Sequence, residues 1–386
     1  LNKRARFSFK FVKFIDWLTI VNITAIVLFG IVAIANATAS PVTGDEQTVD
    51  DFLGLINLNY PLLQIMWYGV GLFAMCIVMF PDYHNIGEFS PWIYWINVAL
   101  LLLLWVLGDN VNGATAWFRL GERGFQPSEI AKIAIIITLS KLVSDKTRDK
   151  EGITKFRDIL MIVLSFGLPF AIILLQPDWG TAFVYAAIFF GILFVAKTSF
   201  KIIGTIFGVG LAAIPASWFV MSPYQQKRIT DFFSPSPEST ALSQVTQAKL
   251  AIGSGQLSGK GFFAAGALGK LGYVPEAHTD FIFSVTIEPV GFIGGVILIV
   301  LYFTLIFRAL YLAIRAKDDF GKFIIVGVVC MTLFHVFENI GMNMGIMPVT
   351  GIPLPFFSYG GSNMLASMVA FGLVLNVNMR RYRWSF

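Results

Sequence analysis

The sequence predicts an all-α integral membrane protein: about ten transmembrane helices in one domain, with a long extracytoplasmic loop between the seventh and eighth. Of 386 residues, 56% are hydrophobic and only 13% charged, and the mean hydropathy is +0.73. Soluble domains carry about 25% charged residues. The apolar runs are about 20 residues long, enough to cross the hydrocarbon core as helices. They are also continuous, whereas a transmembrane β-barrel would show short alternating segments.

In chain order the candidate spans are 14–36, 61–80, 92–108, 127–144, 158–176, 180–196, 201–221, 281–307, 323–344 and 355–378. With the N-terminus in the cytoplasm, the inside segments collect most of the 28 Lys and Arg: Lys3 to Lys13, the loop from Lys141 to Arg157, Lys197, Lys201, Arg308, Arg315, Lys317, Lys322 and the tail from Arg380. The positive-inside rule fixes that orientation, with both termini cytoplasmic. The first outside loop agrees, since it holds Asp45, Glu46, Asp50 and Asp51 and no cation. The first span lacks a cleavage site after a short apolar core and reads as an anchor. Cys76 and Cys330 each lie in an apolar run, which argues against a disulfide framework or a thiolate metal site. The net charge of +5 is spread along loops, so it does not mark a nucleic-acid surface. No nucleotide-binding loop, zinc signature or Gly-x-Ser-x-Gly elbow is present, and an enzyme built this way needs an activated, membrane-borne substrate.

Residues 222–280 form the long outside loop, whose Phe262, Phe263 and Leu268 point to packing on the membrane face. Its glycine-rich part carries Lys249, Lys260 and Lys270 and ends at Asp280, where the eighth span begins. Asp280 has two readings. It is a helix N-cap, the simpler one by residue type, or a carboxylate at the membrane mouth that serves a substrate part lipid and part polar. Glu129 and Lys132, three apart on one helix face, read equally as a structural ion pair and as substrate-facing charges. Asp178 after Gln176-Pro177 reads as the cap of the sixth span. His335 and Glu338 share a face of the ninth span and are placed to hydrogen-bond. Glu288-Pro289 marks a kink in the eighth span, and stabilising that kink is the simpler role for Glu288. The stretch Pro348 to Ser362 holds three prolines and three glycines. It cannot be a plain helix, so it lines a cavity or is buried in protein.

Taken in order, these motifs resemble the SEDS family of polytopic peptidoglycan polymerases, which includes RodA and FtsW. The resemblance covers most of the chain. It rests on Asn112-Gly113-Ala114 with Trp117, Phe125-Gln126-Pro127-Ser128-Glu129 with Lys132, Gln176-Pro177-Asp178, Tyr224-Gln225 with Arg228-Ile229, and Ala251 to Gly255 with Gly259-Lys260-Gly261. It continues through Pro275-Glu276, His278 to Phe283, Asn339 to Met342, and Pro353 to Phe356 with Ser358 to Ser362. It implies an inverting glycosyltransferase that polymerises lipid II into glycan strands at the outer face of the bacterial cytoplasmic membrane. It also implies a divalent cation (Mg2+ or Mn2+), a class B (PBP2-like) penicillin-binding protein as partner, and an essential catalytic carboxylate, the general base, at Asp280. Glu129, Lys132, Arg228, Lys260 and Ser358 become substrate-binding candidates, the three cations toward the pyrophosphate leaving group; no metal ligand is assigned. The chain lacks long cytoplasmic extensions, which places it with the RodA-like, elongation and cell-shape members. Three positions depart from the family pattern: Ala116, where an arginine is common; Glu288-Pro289, where two acids are common; and Glu338, where an apolar residue is common. A lipid II flippase and a non-catalytic scaffold for a penicillin-binding protein are the alternatives.

Overall fold

The computed structural model describes residues 14–39, 57–111, 114–120, 123–148, 152–153, 155–219, 221, 223–234, 240–262, 267, 269 and 274–381. Lys3 to Lys13, the acidic loop Asp45 to Asp51, Asn112-Gly113, Phe263, Leu268, Lys270 and Arg383 lie outside them, as do the side chains of Tyr224 and Gln225.

All ten predicted spans are helices. In chain order the elements are α1 (Trp17–Ala37), α2 (Asn59–Met79), a short α3 (Tyr83–Glu88), α4 (Ser90–Leu107), strands β1 (Asp109–Val111), β2 (Ala114–Leu120) and β3 (Arg123–Phe125), then α5 (Pro127–Thr147), α6 (Phe156–Leu175), α7 (Trp179–Val195), α8 (Phe200–Ser217), α9 (Pro223–Phe233), α10 (Thr240–Ser254), α11 (Ile282–Ile314), α12 (Asp319–Asn343) and α13 (Gly361–Met379). Seven of them, α1, α2, α4, α6, α11, α12 and α13, are long and apolar enough to cross a membrane, and α7 and α8 are shorter apolar helices. The tenth, α5, carries Glu129, Lys132, Lys141, Asp145 and Lys146 and so falls below them in hydropathy. The chain is a multi-pass membrane protein.

Two segments read as loops are structured. Strands β1, β2 and β3 form a three-stranded antiparallel sheet in that order. The long loop contains α9 and α10. The last span starts at Gly361 rather than 355, because Pro353 and Pro355 keep the chain before it irregular.

Among those seven long apolar helices, α12 and α13 are the most enclosed, while α2 and α4 present most of their surface outward. With lipid as apolar as the helices themselves, close packing through small residues has to hold such a bundle. The α2–α13 contact shows it: Gly71 lies against Met368, and Gly372 against Met75. A second, smaller core lies under the long loop. Ala248 and Ala251 of α10 pack there with Val274, Ala277, Phe281, Val285, Met342 and Val349, tying the loop to the starts of α11 and the end of α12.

Helix α11 is broken at Pro289 and Gly291, the latter at φ 69° and ψ −171°. A break at membrane depth frees backbone groups that need new partners. The segment after α10 supplies them. Lys260 N–H donates to the Glu288 carbonyl (3.0 Å), Gly261 N–H to the Pro289 carbonyl (3.0 Å), and the N–H groups of Phe292 and Ile293 donate to the Gln256 and Leu257 carbonyls (2.8 and 3.2 Å). The buried Glu288 carboxylate takes Lys260 Nζ at 2.9 Å, the Ser254 hydroxyl at 3.2 Å and the Gly269 N–H at 2.9 Å. Kink stabilisation is therefore what Glu288 does in the fold. The two backbones meet so closely that a Cβ on Gly259, at φ +80°, would overlap the Pro289 carbonyl. Gly259→Ala is expected to destabilise the protein by about 1–3 kcal/mol, read as a lower unfolding midpoint in detergent. Gly253→Ala, in open space on α10, should be neutral or stabilising by up to about 1 kcal/mol.

Candidate functional site around Asp280

Asp280 stands two residues before α11, yet it does not cap that helix. The N-cap is Phe281, which makes no side-chain capping bond. The first-turn N–H of Ser284 is taken instead by Oδ1 of Asn343, from α12, at 3.1 Å. The amide of Asn343 donates to the carbonyls of Asp280 (3.0 Å) and Asn339 (2.8 Å). Asn339, one turn earlier, donates to the carbonyls of Asp280 (2.9 Å) and Ile352 (2.7 Å). Both asparagines are fully buried. Two neutral amides thus hold the Asp280 backbone and leave its carboxylate uncommitted.

The irregular 344–360 segment is satisfied in the same manner. The Ser358 hydroxyl donates to the Thr279 carbonyl (2.7 Å) and accepts from Leu354 N–H (2.9 Å). Gln64 of α2, itself fully buried, donates to the Ser358 carbonyl (3.0 Å). Tyr359 N–H donates to the His278 carbonyl (2.9 Å), and the Tyr302 hydroxyl to the Pro355 carbonyl (2.7 Å). This is the burial in protein that the three prolines and three glycines call for.

The Asp280 side chain is half-buried and lies against Gly351, whose φ is +76°; a Cβ there would stand 3.3 Å from Oδ2. Burial and, next, the negative charge of Glu276 push the carboxyl up to about 7, and Arg228 pulls against them. Among the described residues no hydrogen-bond donor contributes to that balance. Arg228 is set by a 2.8 Å bond from its guanidinium to the Val349 carbonyl, two residues before Gly351. Burial holds the neighbouring His278 imidazole below its ordinary range, so it is neutral at pH 7 even though Glu276 favours its charged form.

The other candidate residues fall into three places. Arg228 joins Asp280. Ser358 is 1% exposed and lies behind the site, with its hydroxyl spent on backbone. Lys132 and Glu129 form an ion pair at 2.7 Å, 2% and 4% exposed. Lys132 also meets His335 Nε2 at 2.9 Å, and His335 Nδ1 meets the Pro353 carbonyl at 3.2 Å. The pair therefore reaches the site through His335 and the 352–354 backbone rather than directly. Lys260 is engaged with Glu288, eight residues along α11 from Asp280. His335 and Glu338 are used separately; Glu338 accepts the Thr350 hydroxyl at 3.0 Å, and among the described residues its second oxygen is buried without a hydrogen-bond partner. Asp178 does cap α7, accepting Thr181 N–H at 3.0 Å. The side chain of Ala116 lies outside the described residues.

The residues that sequence reasoning left without a role are Asn343, Asn339, Gln64, Glu276 and Gly351. A signal existed for the asparagines: two amides four apart share one face of a span, and polar groups inside spans are kept for a purpose.

Lys132→Met strips the partner from a buried carboxylate and is expected to cost about 3–5 kcal/mol. Adding Glu129→Gln should return most of that loss. Unfolding midpoints of the single and double variants in detergent are the check.

The comparisons follow the same length of chain. Residues 16–383 match the family model FTSW_RODA_SPOVE, described as cell cycle protein. The chain is 38% identical over 294 residues to peptidoglycan glycosyltransferase MrdB of Escherichia coli K12, covering 76% of this chain and 78% of that protein. It is 35% identical over 373 residues to stage V sporulation protein E of Bacillus subtilis 168, covering 94% and 96%. The fold is similar to a solved peptidoglycan synthase complex that coordinates polymerization and crosslinking (TM-score 0.75, 29% identity, 96% of this chain and 99% of that one). It is also similar to the rod shape determining protein RodA of Thermus thermophilus (TM-score 0.69, 29% identity, 96% and 98%). With a match that runs from the N-cap of the first span to the tail, and relatives aligned over most of their own length, the chain belongs to the FtsW/RodA/SpoVE (SEDS) family.

Proposed function

We propose that this protein is an inverting peptidoglycan glycosyltransferase that polymerises lipid II at the outer face of the bacterial cytoplasmic membrane, in cell elongation and shape. The observation that carries the reading is the Asp280 carboxylate: freed from capping by Asn343, half-buried and beside Arg228, in a chain of this family. The relatives' names supply the reaction class. The charge pattern supports cytoplasmic termini and a site on the far side of the membrane.

In the reaction a sugar hydroxyl attacks the anomeric carbon of a lipid-linked saccharide. A C–O bond forms on one face as the bond to the lipid pyrophosphate breaks on the other. Asp280 accepts the hydroxyl proton as general base, and a carboxyl titrating near neutrality is suited to that work. No second, nucleophilic carboxylate is required by direct displacement. Negative charge grows on the departing pyrophosphate and calls for positive charge nearby. Arg228 is the cation best placed to supply it, since of the three it is the one whose charge acts on Asp280.

A divalent cation would add to this. Among the described residues no group of three or more His, Cys, Asp or Glu side chains could hold one. A hard cation here would be carried by one or two carboxylates together with substrate phosphates. Glu276, next to the base, is the carboxylate for it, and when bound the cation would neutralise the pyrophosphate charge. The family's link between polymerization and crosslinking supports a class B penicillin-binding protein as partner, contributing the transpeptidase.

The test is glycan-strand formation from purified lipid II by the reconstituted chain, with a partner that cannot itself polymerise. The native chain should make polymer and Asp280→Asn none; equal polymer from both would contradict the reading. Because the base form must be ionised, kcat/KM should rise with pH through a limb near 7. Arg228 pulls the Asp280 carboxyl down, so Arg228→Gln should shift that limb to higher pH.

A further inference from the structure

Three aromatic rings from three distant parts of the chain meet beside Asp280. Tyr60 stands at the start of α2, His278 lies in the segment before α11, and Tyr359 lies in the segment before α13. The Tyr60 ring is 4.9 Å from His278 and 5.1 Å from Tyr359, centroid to centroid, and His278 is 5.6 Å from Tyr359. The rings are steeply inclined, at 54°, 81° and 51°, so they form a faceted corner rather than a flat stack. All three are partly exposed.

Tyr60 and Tyr359 pack against the main core on one side, but core packing does not account for the part of each ring left exposed. Aromatic residues used as core in the same segment, Phe356 and Phe357, are completely buried. The three rings here carry polar edges and are left partly open. Tyrosines of a membrane-interface belt anchor a helix end at the headgroup level, whereas these converge on the backbone of the catalytic segment. The corner is also rigidly tied to Asp280. Tyr359 N–H is bonded to the His278 carbonyl, and Ser358 next to it is bonded to the Thr279 carbonyl. His278 and Asp280 are two residues apart, so their Cα atoms are within about 7 Å.

A pyranose ring is about the size of one such facet. One of its faces is a patch of C–H groups, polarised positive, which suits the negative face of an aromatic ring. Its rim of hydroxyl and amide groups suits phenol and imidazole edges. A general base must lie within hydrogen-bond reach of the proton it takes, so the sugar that carries the attacking hydroxyl has to sit next to Asp280. We propose that Tyr60, His278 and Tyr359 form a stacking platform for the acceptor sugar, a hexosamine of a lipid-linked saccharide. The proposal rests on the reading of this chain as a glycan polymerase and adds to it the residues that grip the acceptor. The platform orients the hydroxyl toward Asp280; it takes no part in proton transfer.

The test compares the binding of two lipids to the full-length chain in vesicles: a polyprenyl-pyrophosphate disaccharide, and polyprenyl pyrophosphate with no sugar. Tyr60→Leu and Tyr359→Leu remove one facet each, and Tyr60→Phe restores the ring without the hydroxyl. Tyr311→Leu, toward the opposite end of α11, is the control. Each Leu variant should weaken disaccharide-lipid binding on the order of tenfold, the equivalent of a good aromatic contact, and raise KM for polymerisation in step. Binding of the sugarless lipid should stay unchanged, Tyr60→Phe should recover most of the loss, and Tyr311→Leu should bind both lipids as the native chain does. Equal weakening of both lipids, or of neither, in variants that keep the native unfolding midpoint would overturn the platform. Failure of the underlying reading shows separately, as polymer made equally well by Asp280→Asn.

Discussion

The structure around Asp280 depends on a transfer of one hydrogen-bonding duty. A helix start leaves N–H groups that need acceptors, and inside a membrane there is no water to provide them. An aspartate just before such a helix would ordinarily do so with its own carboxylate. Here Asn343, 63 positions along the chain from Asp280, accepts the Ser284 N–H, and with Asn339 it holds the Asp280 carbonyl. Both asparagines are neutral, so the clamp adds no charge to the site. The carboxylate that results is half-buried, raised to about 7 and answerable to Arg228 and Glu276 rather than to backbone.

The same rule, that polar backbone at membrane depth must find a partner, explains the rest of the architecture. The break in α11 is covered by the 255–261 backbone, with Glu288 and Lys260 closing the contact. The proline-rich segment before α13 is covered by Ser358, Gln64, Asn339 and Tyr302. The Glu129–Lys132 pair is an expensive way to hold helices, since desolvating two charges offsets much of their attraction. Its extension through His335 to the Pro353 carbonyl suggests why the pair is useful. It anchors, from below, the segment that carries Gly351 and Val349 to the site.

Much of this was legible in the sequence, and the failures share a cause. The ten spans follow from continuous apolar runs, which need no tertiary information. Asp178 as a cap and Glu129–Lys132 as a pair are local, three-residue relations. The sheet was missed because β1 and β3 are only three residues each and the seven-residue β2 lacks a regular apolar–polar alternation. Helices α9 and α10 were missed because their mixed composition, in a segment rich in proline and glycine, resembles loop. The role of Asp280 could not be decided locally: the residue type favoured a cap, and the group that displaces it lies on another helix. Lys260, grouped with the site by charge, is claimed by Glu288, a contact 28 residues apart. The partial exposure of Tyr60, His278 and Tyr359 likewise has no trace in their separate neighbourhoods.

The most direct test of this account is the turnover of lipid II by Asn343→Leu, measured with a partner that cannot polymerise. Leucine has the same branched shape but leaves the Ser284 N–H without the acceptor that spares the Asp280 carboxylate, and it releases one hold on the Asp280 carbonyl. Displacement of a reacting group by about 1 Å can cost on the order of 100-fold. The account expects kcat to fall by that order, with KM for lipid II little changed and the complex intact. An Asn343→Leu chain that folds and polymerises at the native rate would contradict it.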